Sequence, residues 1–139
     1  TPKHIEENIG ISKDYNNFEL RNAIGERNIY KVNRIINYFA QNQKANPLVV
    51  TFSLLNSYFT QLLIVHSLND KSKNNVAKAL KISPYFVSDY TNAIKNYPMR
   101  KISQIIGFLR DADVKSKGVG ANALPPGEIL KELMFKILH

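Results

Sequence analysis

The chain has 139 residues, enough for one well-filled core, with 44% hydrophobic and 22% charged residues, as in an ordinary soluble domain. It holds no cysteine, which excludes disulfides, zinc–thiolate sites and cysteine nucleophiles. The net charge of +8 is uneven: seven basic and five acidic residues lie in 1–45, no charged residue in 46–69, and twelve basic against six acidic in 70–139. Such a bias fits an acidic partner such as nucleic acid.

Thr1–Gly10 reads as a short helix, with Thr1 as cap, Pro2 at the first position and Gly10 as stop. Its thin face, Ile5 and Ile9, is too small to bury alone, so it is expected to belong to a neighbouring domain or to dock on this one. A chain that opens on Thr1 and runs straight into a helix reads as a piece of something longer. Ile11–Tyr15 is a connector. Asn16 then caps a helix, with Glu19 three residues on, close to a capping box; Phe18, Ala23 and Ile24 are its apolar residues and Gly25 ends it. From Asn28 to about Gln43 the period is clearer, with Ile29, Val32, Ile35, Ile36 and Phe39 facing inward.

Asn46–Leu68 is the longest element and carries no charge. Asn46 is expected to cap it and Pro47 to take the first position, where its missing N–H costs nothing. Leu48, Phe52, Leu55, Phe59, Leu62 and His66 recur at helical steps, with Val49 and Leu63 beside them, as one apolar stripe. The opposite face, Ser53, Asn56, Ser57, Thr60 and Ser67, is polar, small and uncharged. A fully solvated face normally carries Lys and Glu, so this helix is expected to be enclosed on most sides, by its own domain or a partner. Its length tempts a membrane reading, but Thr51, Gln61 and His66 add to those polar residues and no aromatic belt flanks it; no membrane span is expected.

Lys73–Leu80 follows as a short helix with Val76, Ala77 and Leu80 inward. Ser83 caps and Pro84 starts the next, whose stripe is Phe86, Val87, Tyr90, Ala93, Ile94 and Tyr97. Pro98 opens a helix that runs to Lys117 with Met99, Ile102, Ile105, Ile106 and Leu109 on one face, and Gly118 and Gly120 stop it. Val119–Pro126 is a loop, and Glu128–Leu138 closes the chain with Ile129, Leu130, Leu133, Met134 and Ile137 inward. No strand survives. The fold class is all-α, about seven helices in a compact domain over 15–139, preceded at 1–14 by the short leftover helix.

Catalytic and cofactor signatures are missing. His4, His66 and His139 are isolated, and His66 on an apolar stripe reads as a satisfied core histidine. No phosphate loop or nucleophile elbow occurs. Asp111 and Asp113 point to different helix faces, and Asp113 is the natural i,i+4 partner of Lys117. No catalytic, metal or cofactor site is expected. Asn74–Asn96 scans like a helix-turn-helix, with Lys81 where glycine is usual and Tyr85, Ser88, Asp89 and Asn92 on the would-be reading face; one acid and no arginine weaken it. A stand-alone DNA-binding domain is the alternative reading. Lys95, Arg100, Lys101, Arg110 and Lys115 are the candidate basic surface.

Taken in order, PKHIEENIG (Pro2–Gly10), NNFELRNAIGERN (Asn16–Asn28), Ile29–Phe39, the Asn46–Leu68 stretch, Val76–Ile102, GFLRDADVKSKGVG (Gly107–Gly120) and the closing GEILKELMFKIL resemble the delta subunit of bacterial DNA polymerase III, a clamp-loader component. Asp113, Lys117 and Gly118 fall where that family has an Asp, a Lys and a Gly near the end of a long helix. The resemblance implies that 1–14 is the end of a lid-like second domain and that 15–139 is an all-helical collar domain, which joins other loader subunits in a ring. It implies no nucleotide site here and contact with the sliding clamp only through a first domain that this chain lacks; the basic residues are expected either to lie near DNA in the assembled complex or simply to face solvent, and the absence of cysteine suits a cytoplasmic location. Ser53, Asn56, Ser57 and Thr60 are then the candidate subunit interface.

Overall fold

A computed structural model describes residues 12–118 and 124–139. The expected helix at Thr1–Gly10 and most of the loop at 119–126 lie outside the described residues. Asn16 caps α1 (Asn17–Gly25): its side chain accepts from the Glu19 backbone N–H at 2.9 Å. Asn28 caps α2 (Ile29–Gln41) in the same way, through the Lys31 N–H. α3 (Leu48–Ser67) is followed by α4 (Lys73–Leu80), a 3-10 turn at Pro84–Phe86, α5 (Val87–Asn96), α6 (Met99–Ser116) and α7 (Pro126–Leu138). Among the described residues there is no strand, so the all-helical expectation holds. Gly118, at φ +71, follows α6 in a conformation that glycine takes without strain.

α3 is the central helix. It packs along α6 and also meets α1, α4 and α5, while α7 lies against both α2 and α6. By length and composition alone α3 could cross a bilayer. In the folded chain it supplies the floor of the core, with Leu55, Phe59, Leu62 and Val65 fully buried. Polar links tie distant segments to this core. The Tyr97 hydroxyl donates to the Ile24 carbonyl at 2.6 Å, and the Asn96 amide donates to the Gly25 carbonyl at 2.9 Å. His66 Nε2 donates to the Tyr97 carbonyl at 2.7 Å, as suits a structural histidine. Arg27 grips the Leu138 carbonyl through Nε and Nη2, at 3.2 and 2.8 Å, which fastens the α1–α2 turn to the end of the last helix.

Several expectations need correction. α3 begins one residue later than the cap assignment implies. Asn46 is buried and gives its amide to the Asn42 carbonyl, finishing the preceding turn rather than starting α3. Val49 is 62% exposed, not part of the core stripe; Thr51 takes a buried place beside that stripe, because its hydroxyl donates to Asn17 Oδ1 at 2.8 Å. Phe18 is exposed and covered only by the Arg21 guanidinium, 4.6 Å from the ring centre. Met99 is also exposed, and Phe86 sits at the edge of exposure.

α6 and α7 are clamped at the surface by Glu132, which pairs with Lys115 at 2.8 Å and Lys136 at 3.0 Å. Hydrogen bonds from Lys115 and then Lys136 hold its carboxyl below the ordinary value. The stabilisation from this lowered value is complete above the unfolded-chain value and is lost as pH falls through the folded one. Glu132→Gln should therefore lower the melting temperature slightly at neutral pH, and the gap to the parent should close as the pH is taken from about 7 to about 3. Melts across that range check the prediction; a constant gap would contradict it.

Candidate functional site

The neutral residues of α3 form a ridge open to solvent. Ser53, Asn56, Ser57 and Thr60 are all exposed, so the expected enclosure of the helix by its own domain does not occur. Helical spacing adds Val49, Val50 and Ile64 to the same arc, all three exposed. A ridge of small polar and β-branched residues offers little charge to desolvate and little side-chain entropy to lose, which suits burial against another surface.

Two grooves flank this ridge. The first, about 410 Å³, runs between α3 and α6 and is lined by Val49, Phe52, Ser53, Asn56, Arg110 and Asp113, among others. Lys117 closes its end, with Nζ 3.0 Å from Asp113 Oδ2. The sequence candidates from two distant stretches thus meet at one place. Among the described residues Arg110 has no ion-pair partner, so the groove presents one free guanidinium beside a neutralised pair. The second groove, about 690 Å³, lies on the other flank, where Val50, Leu54, Ser57 and Gln61 face Arg21, Ile82 and Tyr90. Val49 and Ser53 border both grooves, so the ridge and its flanks are one continuous surface.

The candidate basic residues are not gathered in one patch. Lys95 and Arg100 are exposed on α5 and α6. Lys101 turns toward α7 and donates to the Lys136 carbonyl at 3.0 Å. Lys115 is engaged by Glu132, also on α7. Arg110 faces the opposite side of α6, at the α3 groove. The helix-turn-helix-like corner is present as a shape: Lys81 adopts φ +57, the left-handed turn position, and Ser83 Oγ accepts from the Tyr85 N–H. On its second helix Asp89 and Asn92 line a small pocket with Asn22 of α1 and Glu26 just beyond that helix, and carboxylates repel a phosphate backbone. Among the described residues no group of three acidic or histidine side chains could hold a metal ion.

Some functional candidates escaped the sequence reading. Val49 and Val50 were readable from spacing, since 49, 53, 56 and 60 follow one helical line and 50, 53 and 57 another beside it; apolar character assigned Val49 to the core instead. Arg110 carried no local signal, because only the packing of α6 on α3 brings it to Ser53 and Asn56.

No curated protein and no solved structure matches the chain. Residues 14–133 match a family described as DNA polymerase III delta subunit, C-terminal domain. That match takes in every helix from α1 to most of α7, and the chain belongs to this family.

Proposed function

We propose that residues 15–139 act as a collar domain, a non-catalytic module through which the delta subunit assembles with other clamp-loader subunits for loading of the sliding clamp in DNA replication, and that residues 1–14 belong to the preceding lid-like domain. The observation that carries this reading is the exposed, uncharged ridge of α3, an uncommon surface for a solvated helix and a suitable one for a ring neighbour, in a chain of this family. Prying open the clamp falls to other domains of the protein, and DNA is met within the assembled complex. The cytoplasm is the compartment in which such a machine works.

The test is assembly. The chain should co-elute with the other loader subunits in size-exclusion chromatography. Asn56→Lys combined with Thr60→Lys should abolish co-elution while leaving the melting temperature within about 3 °C of the parent, since both positions are solvent-facing. Failure of the folded parent chain to co-elute with folded partners would overturn the assembly role. Co-elution untouched by the double variant would move the interface off the α3 ridge.

A further inference from the structure

A second site lies away from the ridge, where the end of α1 meets α5. Tyr58 of α3 is 4% exposed and its hydroxyl makes no hydrogen bond to any described residue; no buried side-chain oxygen among them lacks a partner, so this hydroxyl is the part of the side chain that is open to solvent. It reaches toward Gly25, so close that a Cβ there would lie 2.3 Å from the hydroxyl oxygen. Gly25 and Tyr58 both line a polar pocket of about 120 Å³, with Asn22 and Glu26 at the end of α1 and Asp89 and Asn92 on α5. Among the described residues, neither carboxylate is in an ion pair, and neither asparagine side chain is hydrogen-bonded. The C-terminal end of α1 adds its negative dipole end. Arg21, the cation that stands against the Tyr58 and Tyr90 rings, lines the neighbouring groove and not this pocket.

Both charged groups that line this space are carboxylates, on a chain that is otherwise strongly basic; Asn96, also in the lining, spends its amide N–H on the Gly25 carbonyl, and Ala93 adds a methyl. The space is roughly that of four waters, which fits the end of a long side chain and its last methylenes. Only two carboxylates are present, too few for a hard divalent ion that wants six or more oxygens. We infer that this pocket is a socket for the cationic end of a lysine or arginine side chain presented by a protein partner, with Glu26 and Asp89 as counter-charges and the Tyr58 hydroxyl, open to the pocket, as a further acceptor. The identity of that partner as a loader subunit rests on the assembly reading above; the chemistry of the socket does not.

The experiment follows the backbone amides of the 139-residue chain by two-dimensional 1H–15N NMR while n-butylammonium chloride is added, with sodium chloride and neutral n-butanol as parallel titrations and methylguanidinium as the arginine-like probe. Saturable shifts at Gly25, Glu26, Asn92 and Ala93 with a cationic probe, absent with sodium chloride and butanol, are the expected result. Asp89→Asn, on the exposed face of α5, should weaken that binding by about tenfold, and Tyr58→Phe by several-fold, as loss of charge-assisted partners requires. Linear shifts spread over every carboxylate, or saturation unchanged in Asp89→Asn, would overturn the socket. Saturable binding in a chain that fails to co-elute with loader subunits would leave the socket standing and remove the assembly reading.

Discussion

Replacing Leu55 by Ala should lower the unfolding free energy by about 2–5 kcal/mol, because the side chain is fully buried in the centre of α3 and its loss leaves a cavity that neighbouring helices cannot close. The comparison that gives this value meaning is Ser53→Ala, two residues away on the exposed arc, which should change stability by no more than about 0.5 kcal/mol. Denaturant titration of both variants measures the difference. A Leu55→Ala loss well under about 1 kcal/mol would mean that the buried and exposed faces of α3 are reversed, and with them the candidate interface. The reason for expecting a large loss is where α3 lies: it packs against α1, α4, α5 and α6, so a void beneath Leu55 cannot be filled by one helix moving without pulling on the others.

The second large effect is at Gly25. In an open helix, Gly→Ala stabilises by roughly 0.5–1 kcal/mol by limiting the unfolded chain. Here the new methyl would stand 2.3 Å from the Tyr58 hydroxyl and 3.4 Å from Ala93 Cβ, so the steric term wins and Gly25→Ala should destabilise by about 1–3 kcal/mol. The sign is testable by a double-mutant cycle. Tyr58→Phe removes the offending oxygen and leaves the ring carbon 3.5 Å away, an ordinary contact. In that background Gly25→Ala should cost far less, or stabilise, with a coupling of about 1–3 kcal/mol. Equal losses in both backgrounds would show that the hydroxyl is not what the glycine accommodates. The same cycle bears on the socket, since it establishes that the hydroxyl is held beside Gly25.

The helices were readable because their signals are local. Asn16 and Asn28 cap α1 and α2 because each side-chain oxygen takes an otherwise unsatisfied first-turn N–H three residues on, and Pro98 precedes α6 because a proline has no N–H to leave unpaired at a helix start. Val32, Ile35, Ile36 and Phe39 follow the helical period and are all buried. The Asp113–Lys117 pair was readable too, because a spacing of four residues within one helix sets the distance. The resemblance to the delta-subunit family was likewise carried by motifs in linear order, and residues 14–133 match that family.

What lay outside the sequence was how the helices meet one another. Whether Val49 or Thr51 turns inward depends on which neighbour each finds: Thr51 has Asn17 to bond, whereas Val49 stands above the α3–α6 groove with nothing over it. Lys101, Lys115 and Arg110 share one helix and one charge, yet packing sends the first two to α7 and the third to α3. The pocket of Glu26, Asp89 and Tyr58 joins three helices whose residues are separated by more than thirty positions in sequence, and no local pattern records that meeting. By itself the sequence determined which segments are helical, which residues can be buried and which family they spell, because backbone capping and helical period act over a few residues. Only the tertiary structure decided which buried and exposed faces oppose each other, because that choice is made by the mutual fit of side chains between helices far apart along the chain.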